Sequence, residues 1–139
     1  MLQVTPGPSF QNGRALRKIA AIDIGTNSTH LLVASVDTEL RTFSIELAEK
    51  STTRLGERDP ETGNLSEAAI ERGLEALRRF HELALSHQVE QIVTAATSAV
   101  REAPNGRDFL QEIQDQLDLE VDLVSGPEEA RLIYLGVLS

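Results

Sequence analysis

Apolar residues run almost unbroken over positions 19–24, interrupted only at Asp23, and a short run of this kind fits a strand buried on both faces. The run starts after Lys18 and is followed by the turn-forming residues Gly25-Thr26-Asn27-Ser28. Residues 31–36 predict a second strand. Over residues 41–47, Phe43, Ile45 and Leu47 alternate with polar neighbours, which is the period of a third. The short links between these strands predict an antiparallel meander. Residues 55–64 are rich in Gly, Pro and charge and predict a loop. Ser66 then caps a helix with Glu67 in its first turn, and Ile70, Leu74, Leu77 and Ala84 recur at helical spacing, with Phe80 and Leu83 widening the stripe. Residues 89–95 predict a strand, Thr97-Ser98 a short helical turn ending near Pro104-Asn105-Gly106, and residues 108–117 a helix burying Phe109, Leu110, Ile113 and Leu117. Val121, Leu123 and Val124 predict a fifth strand. Pro127 suits the first position of a final helix, with Gly126 as its cap and Glu128 and Glu129 in its first turn.

Strands separated by helices require parallel pairing with right-handed crossovers, so the meander predicts a mixed sheet with parallel strands on its other side. This α/β order resembles the ribonuclease H-like layout of the actin-like ATPase superfamily and the sugar kinases, a mixed five-stranded sheet flanked by helices. Architecture alone does not fix function. Residues 1–17 carry Pro6, Gly7, Pro8 and Gly13 with little periodicity and predict a flexible lead-in, which leaves residues 18–139 as one lobe.

A chain of 139 residues, 40% of them apolar, suffices for one domain with a real core. No apolar run approaches the length of about eighteen residues needed to span a bilayer, and no secretory apolar region opens the sequence. The absence of cysteine excludes disulfides and thiolate metal sites and fits a cytoplasmic location. The net charge of -9 repels nucleic acid, anionic membranes and polyanionic substrates at long range, so any anion site needs local help. Arginine is a source of that help: all but Lys18 and Lys50 of the thirteen cations are Arg, whose fork grips phosphate in a bidentate geometry that Lys cannot copy. An arginine-rich proteome would give the same composition.

Three segments carry candidate chemistry. In Asp23-Ile24-Gly25-Thr26-Asn27-Ser28 a buried strand delivers a carboxylate and then a tight turn of small polar groups. Gly25 lets a phosphate approach the main chain, the hydroxyls of Thr26 and Ser28 add hydrogen bonds, and Asp23 suits Mg²⁺ directly or through water. The same residues also suit a plain Asx-type hairpin turn. In Thr94-Ala95-Ala96-Thr97-Ser98-Ala99-Val100-Arg101 a strand turns into a helix, where Ser98 and an Arg101 reaching back from the next turn would face an anion. Ordinary capping by Thr97 or Ser98, with Arg101 in solvent, explains that segment equally. Ser125-Gly126-Pro127-Glu128-Glu129-Ala130-Arg131 opens the last helix. Its two glutamates match what the helix dipole favours, or one of them binds metal or orients water, a role for which an ionised carboxylate is suited. All three segments fall at the carboxyl ends of predicted strands, where open α/β sheets bind ligands. His30, His81 and His87 are too scattered for a metal cluster, and Glu71, Glu75, Arg78 and Arg79 read as the solvated face of the long helix.

At these residues the sequence resembles the exopolyphosphatase and guanosine pentaphosphate phosphohydrolase (Ppx/GppA) family. The shared motifs are Ala-Ile-Asp-Ile-Gly-Thr-Asn-Ser, Arg54-Leu55-Gly56-Glu57, Ala-Thr-Ser-Ala-Val-Arg-Glu-Ala-Pro-Asn and Ser-Gly-Pro-Glu-Glu-Ala-Arg-Leu-Ile-Tyr-Leu-Gly-Val. The first is common to sugar kinases and actin-like proteins, and the last two are far more specific. The resemblance implies Mg²⁺-assisted hydrolysis of terminal phosphates of polyphosphate or guanosine pentaphosphate, by a parent protein that forms a homodimer. It places Asp23 at the metal and phosphate site, Gly25, Thr26, Asn27, Ser28, Arg54, Ser98 and Arg101 at substrate phosphate, and Glu129 as the water-activating carboxylate and a second metal ligand. Family members often continue Arg-Leu-Gly-Glu with another Gly. Here Arg58-Asp59-Pro60 follows, which leaves the geometry of that loop open. They also carry a later Asp-Ile-Gly-Gly-Gly-Ser loop beyond the position of Ser139, so the chain is expected to be a truncated lobe, inactive by itself. A sugar or acetate kinase-like phosphotransferase lobe, a noncatalytic actin-like nucleotide-binding module, and a fragment that self-associates through its exposed edge are the competing readings.

Overall fold

The apolar run over residues 19–24 forms the second half of the central strand of the sheet. The computed structural model describes residues 9–11 and 14–124, which form β1 (Ser9–Gln11), β2 (Arg14–Ile24), β3 (Thr29–Asp37), β4 (Thr42–Ser51), α1 (Glu67–Ser86), β5 (Gln91–Ala96), α2 (Ser98–Glu102), α3 (Gly106–Leu117) and β6 (Val121–Leu123). The strand order is β4-β3-β2-β5-β6, with β1 beside β2. Strands β2, β3 and β4 form the antiparallel meander, and β2, β5 and β6 pair in parallel, as the alternation of strands and helices requires.

Alternation along β2 divides the core. Ala20, Ile22 and Ile24 join Leu31, Val33, Leu74, Leu77, Phe80, Phe109 and Ile113 in the main cluster under α1 and α3, whereas Ile19 packs with Ala34 and Val36 on the opposite face. Ser66 caps α1 by accepting a hydrogen bond from Ala69 N at 3.1 Å. Asn105 clips α3 to the loop before α1: its Oδ1 accepts from Leu65 N at 2.8 Å and its Nδ2 donates to Leu65 O at 3.2 Å. At Gly106 the chain passes so close to α2 that an added Cβ would overlap Val100 O, which is why glycine stands there.

Three details depart from expectation. The segment read as a flexible lead-in contributes strand: β2 begins at Arg14, and β1 pairs with residues 14–16. The reason is that β5 covers its side of β2 only from Ile19 onward, which leaves backbone groups of residues 14–16 for β1 to satisfy. Helix α3 begins at Gly106, two residues before its predicted start. In β4 the pairing with β3 shifts between Val33 and Ala34, and Glu46 is the residue skipped; its side chain accepts from Ser35 Oγ at 2.7 Å and lies 3.4 Å from Lys18 Nζ. The final helix predicted from Pro127 lies outside the described residues. Among the described residues no helix is long and apolar enough to cross a membrane.

Candidate active site

The parallel pairing brings the carboxyl ends of β2, β5 and β6 to one edge of the sheet: Ile24 pairs with Ala96, and Ala96 with Leu123. The segments that follow β2 and β5 meet there. Gly25 N donates to Ser28 O at 3.0 Å, closing a hairpin whose two tip residues, Thr26 and Asn27, are exposed. A Cβ on Gly25 would come within 2.9 Å of Ser28 O, so the tight closure depends on glycine. Thr26 Oγ1 and Ser98 Oγ lie 3.3 Å apart, joining residues 72 positions apart in sequence. Thr97 N donates to Ile24 O at 3.3 Å, which docks the start of α2 onto the end of β2.

A third segment, the Arg54 loop, lies against the same hairpin. Arg54 N donates to Asn27 O at 3.0 Å and Gly56 N to Thr26 O at 2.9 Å. Both tip carbonyls are thereby turned toward this loop, and among the described residues no acceptor sits against the amides of Thr26 and Asn27. Beneath the junction the buried hydroxyls of Thr29 and Thr53 meet at 3.0 Å. Arg54 has a left-handed backbone with φ 50°, and its side chain is 58% exposed, with Nε 3.6 Å from Glu57 Oε2. Of the residues singled out in the sequence, Gly25, Thr26, Asn27, Ser28, Arg54 and Ser98 are therefore linked by direct contacts.

Asp23 lies two residues before the hairpin, on the face of β2 that carries Ile19. Its Oδ1 is shielded from water and has no hydrogen-bond partner, and burial pushes the carboxyl above the ordinary carboxylate range, partly offset by the charge of His30. His30 is the cross-strand partner of Asp23 in β3, and the small Ala95 flanks it in β5. An acidic oxygen buried without a partner is what a cation would satisfy. Among the described residues no group of three metal-binding side chains forms around it. One buried carboxylate is compatible with Mg²⁺, which can bind through one or two carboxylates together with waters and substrate phosphate.

Arg101 behaves differently from expectation. Its Nη1 donates to Val124 O at 2.7 Å, at the end of β6, rather than reaching back to the start of its own helix. That helix has only five residues, so its dipole is a weak anion attractor. Among the described residues the rest of the Arg101 fork has no hydrogen-bond partner. Glu129, and with it the choice between Glu128 and Glu129, lies outside the described residues.

Two arginines that sequence reasoning passed over build the site's support. Arg58 Nη2 donates to Ala99 O at 3.0 Å and lies 3.6 Å from Glu102 Oε2, tying the Arg54 loop to α2. The loop left open at Arg58-Asp59-Pro60 closes as an Asx turn, with Asp59 Oδ1 accepting from Glu61 N at 2.8 Å and Thr62 N at 3.2 Å. Arg72, in α1, binds the Arg54 loop itself. No local pattern marks either arginine as special. His30 did have a signal: it is placed symmetrically with Asp23 about the Thr26-Asn27 turn, so hairpin pairing puts the two opposite each other.

Residues 31–139 match the Ppx/GppA phosphatase family. The bifunctional 3-dehydroquinate synthase/phosphatase of Fusobacterium nucleatum is 36% identical over 125 residues, covering 86% of this chain and 19% of that protein. The crystal structure of the Aquifex aeolicus member of the Ppx/GppA family superposes with a TM-score of 0.78 at 33% identity, covering 88% of this chain and 39% of that one. An exopolyphosphatase from Cytophaga hutchinsonii superposes with a TM-score of 0.75 at 30% identity, covering 84% of this chain and 36% of the other. The chain thus spans well under half the length of each of these relatives.

Proposed function

Because the chain belongs to the Ppx/GppA phosphatase family, we propose that it is the phosphate-binding lobe of a Mg²⁺-dependent phosphohydrolase acting on the terminal phosphates of inorganic polyphosphate, guanosine pentaphosphate, or both. The observation that carries this reading is the meeting of three loops around the Thr26-Asn27 tip, directly beyond a buried carboxylate oxygen that lacks a partner.

In this reading the tip amides and the hydroxyls of Thr26, Ser28 and Ser98 bind oxygens of the terminal phosphoryl group, and Arg54 and Arg101 neutralise its charge. Asp23 and Glu129 are the residues that would hold Mg²⁺, which supplies further charge neutralisation to the phosphate when bound. Glu129 orients a water in line with the terminal phosphorus. The water oxygen forms the new P–O bond, the bond to the penultimate phosphate breaks, and the water proton leaves with the departing oxygen or to solvent. Little covalent work falls to the protein, since phosphoryl transfer is chiefly a matter of positioning and electrostatics. The negative net charge of the chain supports a local arginine-based site over a broad basic surface.

The test is phosphate release from polyphosphate and from guanosine pentaphosphate by the full-length protein, with and without Mg²⁺, beside Glu129→Gln. Metal-dependent release that collapses in the variant is expected, and the preferred substrate follows from the two rates. No release from either substrate by well-folded protein overturns the reading, and an undiminished rate in Glu129→Gln overturns the role given to Glu129.

A further inference from the structure

We propose that Arg72, on α1 and outside every phosphate-facing motif, is a positioning residue that holds Arg54 in place for substrate. Its Nε donates to Thr53 O at 2.8 Å, and its Nη2 lies 3.3 Å from Arg54 O and 2.7 Å from Glu57 Oε1. One planar fork thus grips two successive carbonyls and a carboxylate, a geometry that only arginine provides.

The grip acts on the strained point of the loop. Arg54 has a left-handed backbone, a conformation that costs a non-glycine residue free energy and persists only where its surroundings over-determine it. The surroundings here are the hydrogen bonds that the amides of Arg54 and Gly56 donate to the Thr26-Asn27 tip on one side and Arg72 on the other. Glu57 completes the relay: its Oε1 binds Arg72 and its Oε2 lies 3.6 Å from Arg54 Nε, so the direction of the Arg54 side chain is set through a carboxylate that Arg72 holds. Charge follows the same logic. An unpaired Glu57 beside Arg54 would repel an incoming phosphate, and the Arg72 guanidinium offsets it. The Arg72 side chain is 28% exposed and that of Arg54 58% exposed, so Arg54 is the more accessible of the two to an incoming anion.

The kinetic part of this inference rests on the phosphohydrolase reading, while the conformational part stands without it. The experiment uses Arg72→Ala and Arg72→Lys in the full-length protein, with Arg54→Ala and the Arg54→Ala/Arg72→Ala double variant. Amide hydrogen exchange at Arg54 and Gly56 is expected to rise about tenfold or more in both Arg72 variants, while the β2–β5 ladder keeps its protection. Lysine fails to rescue because a single ammonium cannot span the three acceptors. For phosphate release, kcat/KM is expected to fall about 10- to 100-fold in Arg72→Ala. The double variant is expected to be no worse than Arg54→Ala alone, since Arg72 acts through Arg54. Unchanged exchange at Arg54 and Gly56, restoration of exchange and kinetics by lysine, or losses that add in the double variant would each overturn the proposal. If the unaltered protein releases no phosphate from either substrate, the phosphohydrolase reading falls instead, and the exchange measurement alone decides whether Arg72 holds the loop.

Discussion

Replacing Asp23 by Asn should make the fold more stable at neutral pH. Asp23 Oδ1 is shielded from water without a hydrogen-bond partner, and burial raises the carboxyl's pKa above its ordinary value. An unsatisfied buried polar group costs about 1–3 kcal/mol, more if charged. The residue as a whole is only half-buried, and asparagine keeps a polar oxygen in the same place, so the low end applies and the expected gain is about 1 kcal/mol. In a domain of this size that is about 4 °C in the unfolding midpoint. The sign with pH follows from linkage. A folded-state pKa raised above the unfolded value of about 3.9 means a contribution fully present below that value and lost as pH rises through the folded pKa. Asparagine does not titrate there, so its advantage is fully open above the folded pKa of Asp23 and closes below about pH 3.9. Urea titrations of both forms from pH 3.5 to 8, with buffers at constant ionic strength, measure the gap. On the phosphohydrolase reading, the same variant should also lose phosphate release by the full-length protein, as expected if Asp23 serves a cation at the expense of stability. An asparagine variant that is less stable at pH 7.5, or a gap that does not change with pH, would refute the reasoning and mark Asp23 as an ordinary structural acceptor.

Two further outcomes test how the loops are packed. In Gly56→Ala the new Cβ lies 2.8 Å from Thr26 Cγ2, so either the Thr26 side chain or the Arg54 loop must shift at the hairpin tip; on the phosphohydrolase reading kcat/KM for phosphate release should fall with little change in the thermal midpoint. Adding Thr26→Ser removes that methyl and keeps the hydroxyl, and should recover most of the loss; failure to recover would place the defect elsewhere. Gly106→Ala puts a Cβ within overlap distance of the Val100 backbone carbonyl, which has no side-chain freedom to move away, and should destabilise the fold by about 2 kcal/mol or more in urea denaturation. A loss below 0.5 kcal/mol, in the range of ordinary surface changes, would show that α2 and α3 can separate at little cost.

Much of the architecture was legible because it follows from short-range periodicity. The strand over residues 19–24, the stripe of α1 and its Ser66 cap each depend on neighbours a few positions away, and the alternation of strands and helices dictated which strands pair in parallel. β1 was missed although its signal was present: Asn12-Gly13, a strong hairpin dipeptide, separates it from β2 in the sequence. Within the site, Asp23, Thr26, Ser28 and Ser98 were legible as small polar groups at strand ends. Arg58 and Arg72 were not, because an arginine's role depends on which carbonyls lie within its reach, and those belong to residues 18 to 41 positions away that come near only once the chain has folded.

By itself, then, the sequence determined the elements, their order and the placement of candidate chemistry at the ends of strands, since backbone geometry and hydrophobic period are local properties. Only the tertiary structure decided that the Arg54 loop lies on the hairpin tip, that Thr26 meets Ser98, that Arg101 turns to Val124, and that Asp23 is left with an oxygen no described side chain satisfies. Those are contacts between distant segments, set by how the two faces of the sheet are covered and by which backbone groups the packed elements leave to be paired.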